Sequence, residues 1–296
     1  MTSQPIALET AARRGWRYSL RRFSRRLLRS RNVLIGTTLL ATILLLVTFG
    51  PMLSPYNPEL MTPAERLKPP SAQYFFGTDD FGRDIFTRVL YGGRVSLLVG
   101  LVSVAISCTI GTLLGLLAGY FGGWVDALIM RGMDVILAFP GILLALAIVA
   151  VLGRSLPNVM IAVGISSIPL FTRIVRGSTL TVKQLDYITA ARALGCSDGR
   201  IIWWHVLPNV VTPIIVIATN SIAGTIITGA ALSFLGLGAQ PPTPEWGLML
   251  AEGRVYLRNA AWVTTYPGLA IVITVMTINL LGDGLRDVLD PRLKLD

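Results

Sequence analysis

Long uncharged apolar runs constrain this 296-residue chain more than any other feature. They occupy 32–58, 95–125, 135–153, 155–172, 201–244 and 259–282. Each is about long enough to cross a bilayer core, which takes ~20 helical residues. Backbone amides find no water there, so only helices or closed barrels can span it. Because the runs lack the polar alternation of barrel strands, the sequence predicts an all-α integral membrane protein with six transmembrane helices.

Proline, glycine and charged residues place the ends of the spans. The predicted spans are roughly 33–53, 95–118, 135–152, 157–174, 210–235 and 263–282. A polar segment after the first span ends in a short helix, Ile85–Tyr91, and 119–134, with the pair Asp126/Arg131, is read as a short turn. Small residues four apart at Gly111, Gly115 and Gly119 predict close packing by another helix.

The distribution of basic residues predicts the orientation. Nine arginines lie between Arg13 and Arg31, before the first span, and this is typical of a cytoplasmic N-terminus. Six spans then return the C-terminus to the cytoplasm and put 18 of the 26 Lys and Arg residues on that side. The net charge of +10 therefore indicates membrane topology and anionic lipid, and no nucleic-acid partner is expected.

The first 31 residues are predicted to be a basic cytoplasmic tail. Trp16, Leu20, Phe23 and Leu27 recur at helical spacing between the arginines, which favours a helix lying on the membrane surface. A disordered basic tail attracted to anionic lipid is the alternative.

Several chemistries are missing from the sequence. The three lysines do not form a G-x-x-x-x-G-K-[ST] phosphate loop, and the single histidine, His205, excludes a His-based metal cluster. The predicted span interiors also lack the ionisable residues of a proton or sodium relay. We therefore expect no catalytic, cofactor or metal site in this chain, and we expect a partner subunit to supply energy. A membrane-embedded enzyme and a scaffold are the alternatives from other classes.

Within a loop at 179–208, the segment Thr189–Pro208 is predicted to form a rigid knob at the cytoplasmic side. A short helix at 189–194 ends at Gly195 in a left-handed conformation, and Ser197 or Asp198 caps a second short helix. Pro208 is expected to separate that helix from the fifth span. The small Ala190 and Ala191 would admit another protein's backbone, and arginines would offer charge contacts. An interfacial segment anchored by tryptophans is the alternative reading.

The spacing of this segment resembles the coupling loop of bacterial ABC importer permeases. That pattern is Glu-Ala-Ala, three residues, Gly, nine residues, Ile-x-Leu-Pro, and two positions depart from it, with Thr189 for Glu and His205 for Ile. The resemblance implies a type I permease fold whose coupling helix contacts an ATP-binding subunit. The residues assigned to this contact are Thr189, Ala190, Ala191, Arg192, Gly195, Arg200, His205, Leu207 and Pro208.

An ordered set of further motifs narrows the resemblance to one subfamily. The motifs begin at Phe76, Gly119, Ala231, Gln240 and Leu281 and read FGTDDFGRD, GYFGGW, ALSFLGLG, QPPTPEWG and LGDGLRD. They are similar to the C-type permease of dipeptide, oligopeptide, glutathione and nickel importers. The resemblance implies peptide transport, with glutathione, nickel chelates or another small solute as alternatives.

The same resemblance implies an organisation and a set of partners. The domains would be the tail 1–31, a first helix with its outer segment 32–92, the permease domain 93–284 and a cytoplasmic tail 285–296. The partners would be a second homologous permease, two ATP-binding subunits that hold ATP and Mg, and an extracytoplasmic substrate-binding protein, all at a bacterial cytoplasmic (inner) membrane.

Charged and aromatic residues in the outer loops are candidates for docking that binding protein. The predicted docking residues are Asp79, Asp80, Arg83, Asp84, Glu245 and Trp246. The alternative is that these proline- and glycine-rich segments, 74–92 and 236–258, are simply well-packed loops.

Overall fold

A computed structural model describes residues 30–289, and within that range all the regular secondary-structure elements are helices. The predicted surface helix before residue 30 and the last seven residues of the predicted C-terminal tail lie outside the described residues. The helices are α1 Arg31–Phe49, α2 Ile85–Phe121, α3 Gly123–Leu137, α4 Gly141–Leu152, α5 Leu156–Lys183, α6 Asp186–Ala193, α7 Asp198–Ile201, α8 Leu207–Phe234, α9 Trp246–Gly253 and α10 Trp262–Leu289.

The described residues cross the membrane six times. Five helices, α1, α2, α5, α8 and α10, are long and apolar enough to span, with α8 continuing the helical path from Asp198. The pair α3 and α4, bent by 88°, forms the other candidate. Ser103 and Gly119 of α2 lie beside Met160 and Thr179 of α5, so these two helices run parallel, and α5 begins at the opposite end of the bundle from the end of α2. The bent pair must therefore cross, which confirms the predicted six spans.

The two ends of the bundle are named here by the predicted orientation. The outer end carries 50–84, 153–155 and 235–261, and the inner end carries Gly122 and 184–206. The outer end is folded into short helical turns, Gly50–Leu53, Pro63–Glu65 and Arg254–Tyr256, around α9.

The predicted glycine ladder on α2 packs against α5. A Cβ at Gly111 would lie 2.5 Å from Cβ of Phe171, and one at Gly115 would lie 2.7 Å from the carbonyl oxygen of Thr172. Gly119 meets Thr179 one turn further along. Only glycine lets these two backbones come so close, so the prediction of close helix packing is confirmed.

Helix α1 is attached to the bundle by a similar contact with α10. A Cβ at Gly36 would lie 2.9 Å from Cα of Leu281, and Gly284 meets Val33. At the outer end of α1, the guanidinium of Arg94 donates to the carbonyls of Val47 at 2.9 Å and Thr48 at 2.6 Å. A side chain of α2 thus helps to satisfy carbonyls of the last turn of α1.

Two predicted boundaries are wrong. Ile85–Tyr91 is not a separate short helix but the first two turns of α2. The helix continues through Gly92 and Gly93. A Cβ at these positions would meet Trp246 and Val47, so both glycines are there for close packing and do not end the helix. The predicted turn at 119–134 is instead the end of α2, two glycines with positive φ, Gly122 and Gly123, and most of α3, which begins at Gly123.

Candidate functional site

The segment 184–206, called the knob, projects from the inner end between α5 and α8. It contains α6, α7 and one π-helical turn at Ile202–Val206. Ile188, Ile201 and Val206 are fully buried and belong to a single apolar cluster with side chains of α2, α5 and α8. The knob is therefore a packed extension of the bundle rather than a loose loop.

Gly195 ends α6 in the predicted left-handed conformation, with φ of +79°. The amide of Cys196 donates to the carbonyl of Ala191 at 3.1 Å, and the amide of Gly195 donates to that of Arg192 at 3.0 Å. These two bonds form a Schellman motif, which satisfies carbonyls left open at the end of a helix. Ser197 occupies the N-cap position of α7, although its side chain accepts no capping hydrogen bond.

Pro208 does not separate the knob from the next span. The chain passes from α7 through the π turn into α8 without leaving helical geometry. The wider turn accommodates the proline, because the amide of Leu207 bonds the carbonyl of Ile202. The side-chain amide of Asn209 donates to the carbonyl of His205 at 2.7 Å. The predicted break at Pro208 is wrong, and the knob is joined rigidly to α8.

The predicted contact residues divide into an exposed set and an inward set. Thr189, Ala190, Arg192, Gly195, Arg200 and Pro208 are exposed. His205 and Leu207 are partly buried, and Leu207 packs on the apolar cluster. Ala191 is buried within the chain, so its predicted place on the open surface is corrected. Sequence reasoning missed Leu194, which is 85% exposed at the tip of the knob and is one of the most exposed apolar side chains of the described residues.

Ion pairs tie α3 to α5 beside the knob. Arg176 donates to the two carboxylate oxygens of Asp126, at 2.6 Å for Nη2, and Arg173 donates to Asp134 at 2.7 Å. Asp126 therefore pairs across helices and not with Arg131 as the sequence suggested. Both arginines lie on α5, beyond the uncharged run that predicted this span. They fasten the bent pair α3–α4 at the inner end.

At the outer end, most predicted docking residues are buried. Asp79, Arg83, Asp84, Glu245 and Trp246 are each at most 4% exposed, and Asp80 is partly exposed. Their side chains cannot form the contact surface for another protein without the loops opening. Burial favours a supporting role for these five residues, and their docking of a binding protein stays a prediction.

The buried charges form one network. Arg83 donates to Asp79 at 2.6 Å and to Glu252 at 2.9 Å, and Arg88 donates to the same Glu252 at 3.3 Å. Arg88 also donates to the carbonyls of Pro58 at 2.9 Å and Pro242 at 3.2 Å. Two arginines and two carboxylates thus join both outer loops, α2 and α9.

The remaining outer residues cap helices. Asp84 is the N-cap of α2 and accepts from the amide of Thr87 at 2.8 Å. Glu245 caps α9 by accepting from the amides of Gly247 and Leu248, and Ser96 Oγ donates to it at 3.0 Å. Trp246 donates its indole N–H to the carbonyl of Val89 at 2.9 Å. Each residue holds the outer loops onto the spans.

Burial raises the pKa of three of these outer carboxyl groups above their ordinary values. It is the largest cause of the raised pKa for Asp80, Asp84 and Glu252. For Glu252 the positive charges of Arg83 and Arg88 act in the opposite direction.

One apolar cavity of about 400 Å³ opens between α1, α2 and α10 towards the outer end. Its lining includes Phe76, Trp246 and Tyr266. Within residues 30–289 no three His, Cys, Asp or Glu side chains are grouped so as to hold a metal ion. The arrangement offers two surfaces for other proteins, the exposed knob and the outer loops, on a bundle with few charges in its interior.

Comparison with protein families adds to this picture. Residues 111–295 match the family described as binding-protein-dependent transport system inner membrane component. Residues 16–70 match the N-terminal transmembrane domain of oligopeptide transport permease C. The first match covers the knob, and the second covers α1 and part of the outer segment.

Curated relatives resemble the chain over most of its length. The dipeptide transport system permease protein DppC of Alkalihalophilus pseudofirmus is 47% identical, over 91% of this chain and 89% of its own. The glutathione transport system permease protein GsiD of Pectobacterium atrosepticum is 48% identical, over 99% of this chain and 97% of its own. GsiD of Escherichia coli is 50% identical, over 99% of this chain and 96% of its own.

A solved structure shares the fold. A chain from an inward-facing structure of the MetNI methionine ABC transporter aligns with a TM-score of 0.55 and 20% identity. The alignment covers 68% of this chain and 95% of that one. It supports the helical arrangement alone.

Proposed function

Because the chain belongs to the family of binding-protein-dependent transport system inner membrane components, we propose that it forms half of the pore of a peptide importer. The chain is the permease subunit of an ABC importer, with a type I fold, and it is a multi-pass membrane protein. Its family is one of transport permeases, which are not catalytic. Since the chain belongs to this family, we do not retain a membrane-embedded enzyme or a scaffold as its function.

Peptides are the proposed cargo. The support is chemical: the relatives are named for dipeptide and for glutathione, and glutathione is itself a small peptide. Both cargoes carry amide groups and free carboxylates. A nickel chelate or another small solute remains the second candidate, carried by the same fold.

The exposed side of the knob is the proposed contact for an ATP-binding subunit. The observation that carries this proposal is the combination of a buried anchor and an exposed tip. Ile188, Ile201 and Val206 fix the knob to the spans, while Thr189, Ala190 and Arg200 face outward. A rigid surface of this kind can receive a push and pass it on. ATP and Mg would be bound by the partner subunits.

The proposed assembly contains a second homologous permease, two ATP-binding subunits and an extracytoplasmic binding protein. We place it in a bacterial cytoplasmic membrane with both termini in the cytoplasm. The arginines before α1 support this orientation, since such clusters remain on the cytoplasmic side. The knob then faces the cytoplasm, where ATP is available, and the outer loops face the binding protein.

The outer loops are proposed to dock the binding protein through their exposed residues, with the buried charges holding the loops in place. The buried network of Arg83, Arg88, Asp79 and Glu252 would hold the loops in shape, and their exposed residues would make the contact. Asp80 is the one predicted docking residue that keeps partial exposure.

Two measurements test the proposed cargo. Mass spectrometry of the ligand retained by the cognate binding protein is expected to find peptides. The second measurement uses the complete importer in proteoliposomes, supplied with that binding protein. Labelled dipeptide or oligopeptide is expected to cross the membrane when ATP is present on the side where the ATP-binding subunits lie. Uptake of a nickel chelate with no peptide uptake would refute the peptide proposal and leave the permease assignment intact.

A further inference from the structure

Tyr120, in the last turn of α2, joins the knob to a helix that is not its neighbour along the chain. Its side chain is only 3% exposed and lies in the apolar cluster beneath the knob. The phenolic O–H donates to Asp198 Oδ1 at 2.6 Å. Asp198 is the first residue of α7, so this bond connects α2 directly to the knob.

Two cations surround the same tyrosine. Arg192 of α6 donates to its phenolic oxygen at 3.4 Å, and its guanidinium carbon lies 5.9 Å from the ring centroid. The ammonium of Lys183, at the end of α5, donates to the main-chain oxygen of Tyr120 and lies 5.6 Å from the ring centroid. Both are within the range of a cation–π contact. Tyr120 therefore gathers the ends of α2 and α5 and both short helices of the knob.

The knob has other connections to the spans, but they are of different kinds. It is continuous in the chain with α5 at one end and with α8 at the other. Among the hydrogen bonds of residues 30–289, those between the knob and α2 all involve Tyr120. Leu116 and the partly buried Cys108 of α2 belong to the same apolar cluster as the knob, and apolar packing of this kind is non-directional.

Helix α2 is well placed to distribute a displacement. Its glycine ladder packs against α5, and at its outer half Thr225 of α8 donates to the carbonyl of Gly100 at 3.2 Å. The close backbone contacts with α5 leave little freedom for either helix to slide alone. A shift of Tyr120 would therefore move α2 together with α5.

We propose that Tyr120 and Asp198 form the joint that transmits movement of the knob to α2, and so to the pore. This inference rests on the proposed function of the knob as the contact for an ATP-binding subunit. The hydrogen bond to an ionised acceptor gives the joint direction and strength, which the apolar cluster does not provide. Tyr120 is a positioning residue, since it contacts neither ATP nor cargo.

The test compares transport with ATP hydrolysis in the complete importer in proteoliposomes. Tyr120→Phe keeps the ring and removes the phenolic oxygen, and with it the short bond to Asp198 and the longer bond from Arg192. We expect it to lower the number of substrate molecules imported per ATP hydrolysed by about tenfold or more, the order expected for loss of a hydrogen bond to a charged group. Asp198→Ala is expected to match it, and Asp198→Asn, which keeps an acceptor oxygen, to lose less.

The double variant Tyr120→Phe/Asp198→Ala is expected to be no worse than Tyr120→Phe alone, because both substitutions remove the bond between Tyr120 and Asp198. Tyr187→Phe is the matched control, a partly exposed tyrosine on the same knob, and should transport as the wild type does. The proposed joint would be overturned if Tyr120→Phe imported as many substrate molecules per ATP as the wild type. It would also be overturned if the double variant lost the product of the two single losses. If Tyr120→Phe does not fold, the number of substrate molecules imported per ATP by Asp198→Ala tests the joint by itself.

Co-purification separates this inference from the function on which it rests. If ATP-binding subunits purify with the wild-type chain and with Tyr120→Phe at equal yield, a wild-type ratio overturns only the joint. If none purifies with the wild-type chain, the proposed role of the knob is wrong and the joint falls with it.

Discussion

The two ends of this bundle carry similar elements that use their charges in opposite ways. Each end has a short helix between two spans, α6 at the inner end and α9 at the outer end. At the outer end the arginines Arg83 and Arg88 are buried and paired, whereas at the inner end Arg200 is exposed. Charged motifs of similar appearance in the sequence thus support the fold at one end and offer a contact at the other.

Burial accounts for the difference. A charge removed from water must be paired and hydrogen-bonded, so Arg83, Arg88, Asp79 and Glu252 bind one another and the loop carbonyls. An exposed arginine contributes little to stability and keeps its charge available for a partner. The comparison predicts that outer-end variants change stability and that inner-end variants change transport.

The largest effect is expected from Arg88→Met. Its side chain is 1% exposed, and its loss leaves Glu252 with one arginine and the carbonyls of Pro58 and Pro242 without this donor. Breaking a buried charge network costs about 3–5 kcal/mol. We expect the melting temperature of the transporter in detergent to fall by about 10 °C.

The matched control is Arg66→Met, which removes an exposed arginine from the same outer end. It should melt within about 1 °C of the wild type, because an exposed arginine contributes little to stability. Equal losses for Arg66→Met and Arg88→Met would contradict the assignment of the network to stability.

At the inner end, Gly195→Asp is expected to lower transport by about tenfold or more, by placing a new negative charge on the exposed face of the knob. The left-handed backbone adds strain of ~1–2 kcal/mol, so the chain should remain folded. Since asparagine has the same shape and also tolerates this conformation, Gly195→Asn shares the strain and lacks the charge. We expect it to retain more transport at the same melting temperature.

Transport assays and thermal melts on the same preparations measure both effects. Wild-type transport by Gly195→Asp would contradict the role of the knob as a contact surface. A loss of transport matched by unfolding would show instead that the glycine serves stability, as the outer charges do.

Loss of the cap on α9 is expected to have a smaller effect than loss of Arg88. Glu245→Ala removes the acceptor for the amides of Gly247 and Leu248. Caps contribute about 0.5–2 kcal/mol, so we expect the melting temperature to fall by about 2–6 °C. Glu59→Ala, an exposed glutamate of the outer segment, is the control and should cause no measurable shift.

The smallest effect is expected at Asp80. Burial raises the pKa of this carboxyl above its ordinary 3.8, so protonation stabilises the folded chain below that pH and the benefit is lost as pH rises through the folded-state pKa. Asp80→Asn resembles the protonated form. It should therefore melt slightly above the wild type at neutral pH, and the gap should close in acid. A lower melting temperature at neutral pH would contradict this sign.

The sequence predicted those parts of the fold that depend on an uncharged run or on a single glycine. Uncharged runs located six crossings, Gly111, Gly115 and Gly119 located the α2–α5 contact, and Gly195 located the end of α6. It failed where a tertiary contact overrides a local signal. Gly92 and Gly93 suggested a break but pack against other elements, and the π turn absorbs Pro208.

Candidate site residues were predictable at the inner end because their spacing along the chain carries the pattern. At the outer end the residue types were noticed but their burial was not, since Glu252 lies about 170 residues from Asp79. Tyr120 was missed for the same reason. Its partners Lys183, Arg192 and Asp198 come from three later elements, and no local signal joins them.

Site-specific crosslinking identifies the protein that contacts the exposed face of the knob, where we propose that an ATP-binding subunit pushes. A photo-crosslinking amino acid would replace Arg200 on the knob or, as the outer-end control, Val255, which is 70% exposed. We expect position 200 to capture an ATP-binding subunit, identified by mass spectrometry, in importer that still transports, and we expect position 255 not to capture it. Capture of that subunit from position 255, or only of lipid or this chain from position 200 in active importer, would contradict this proposal.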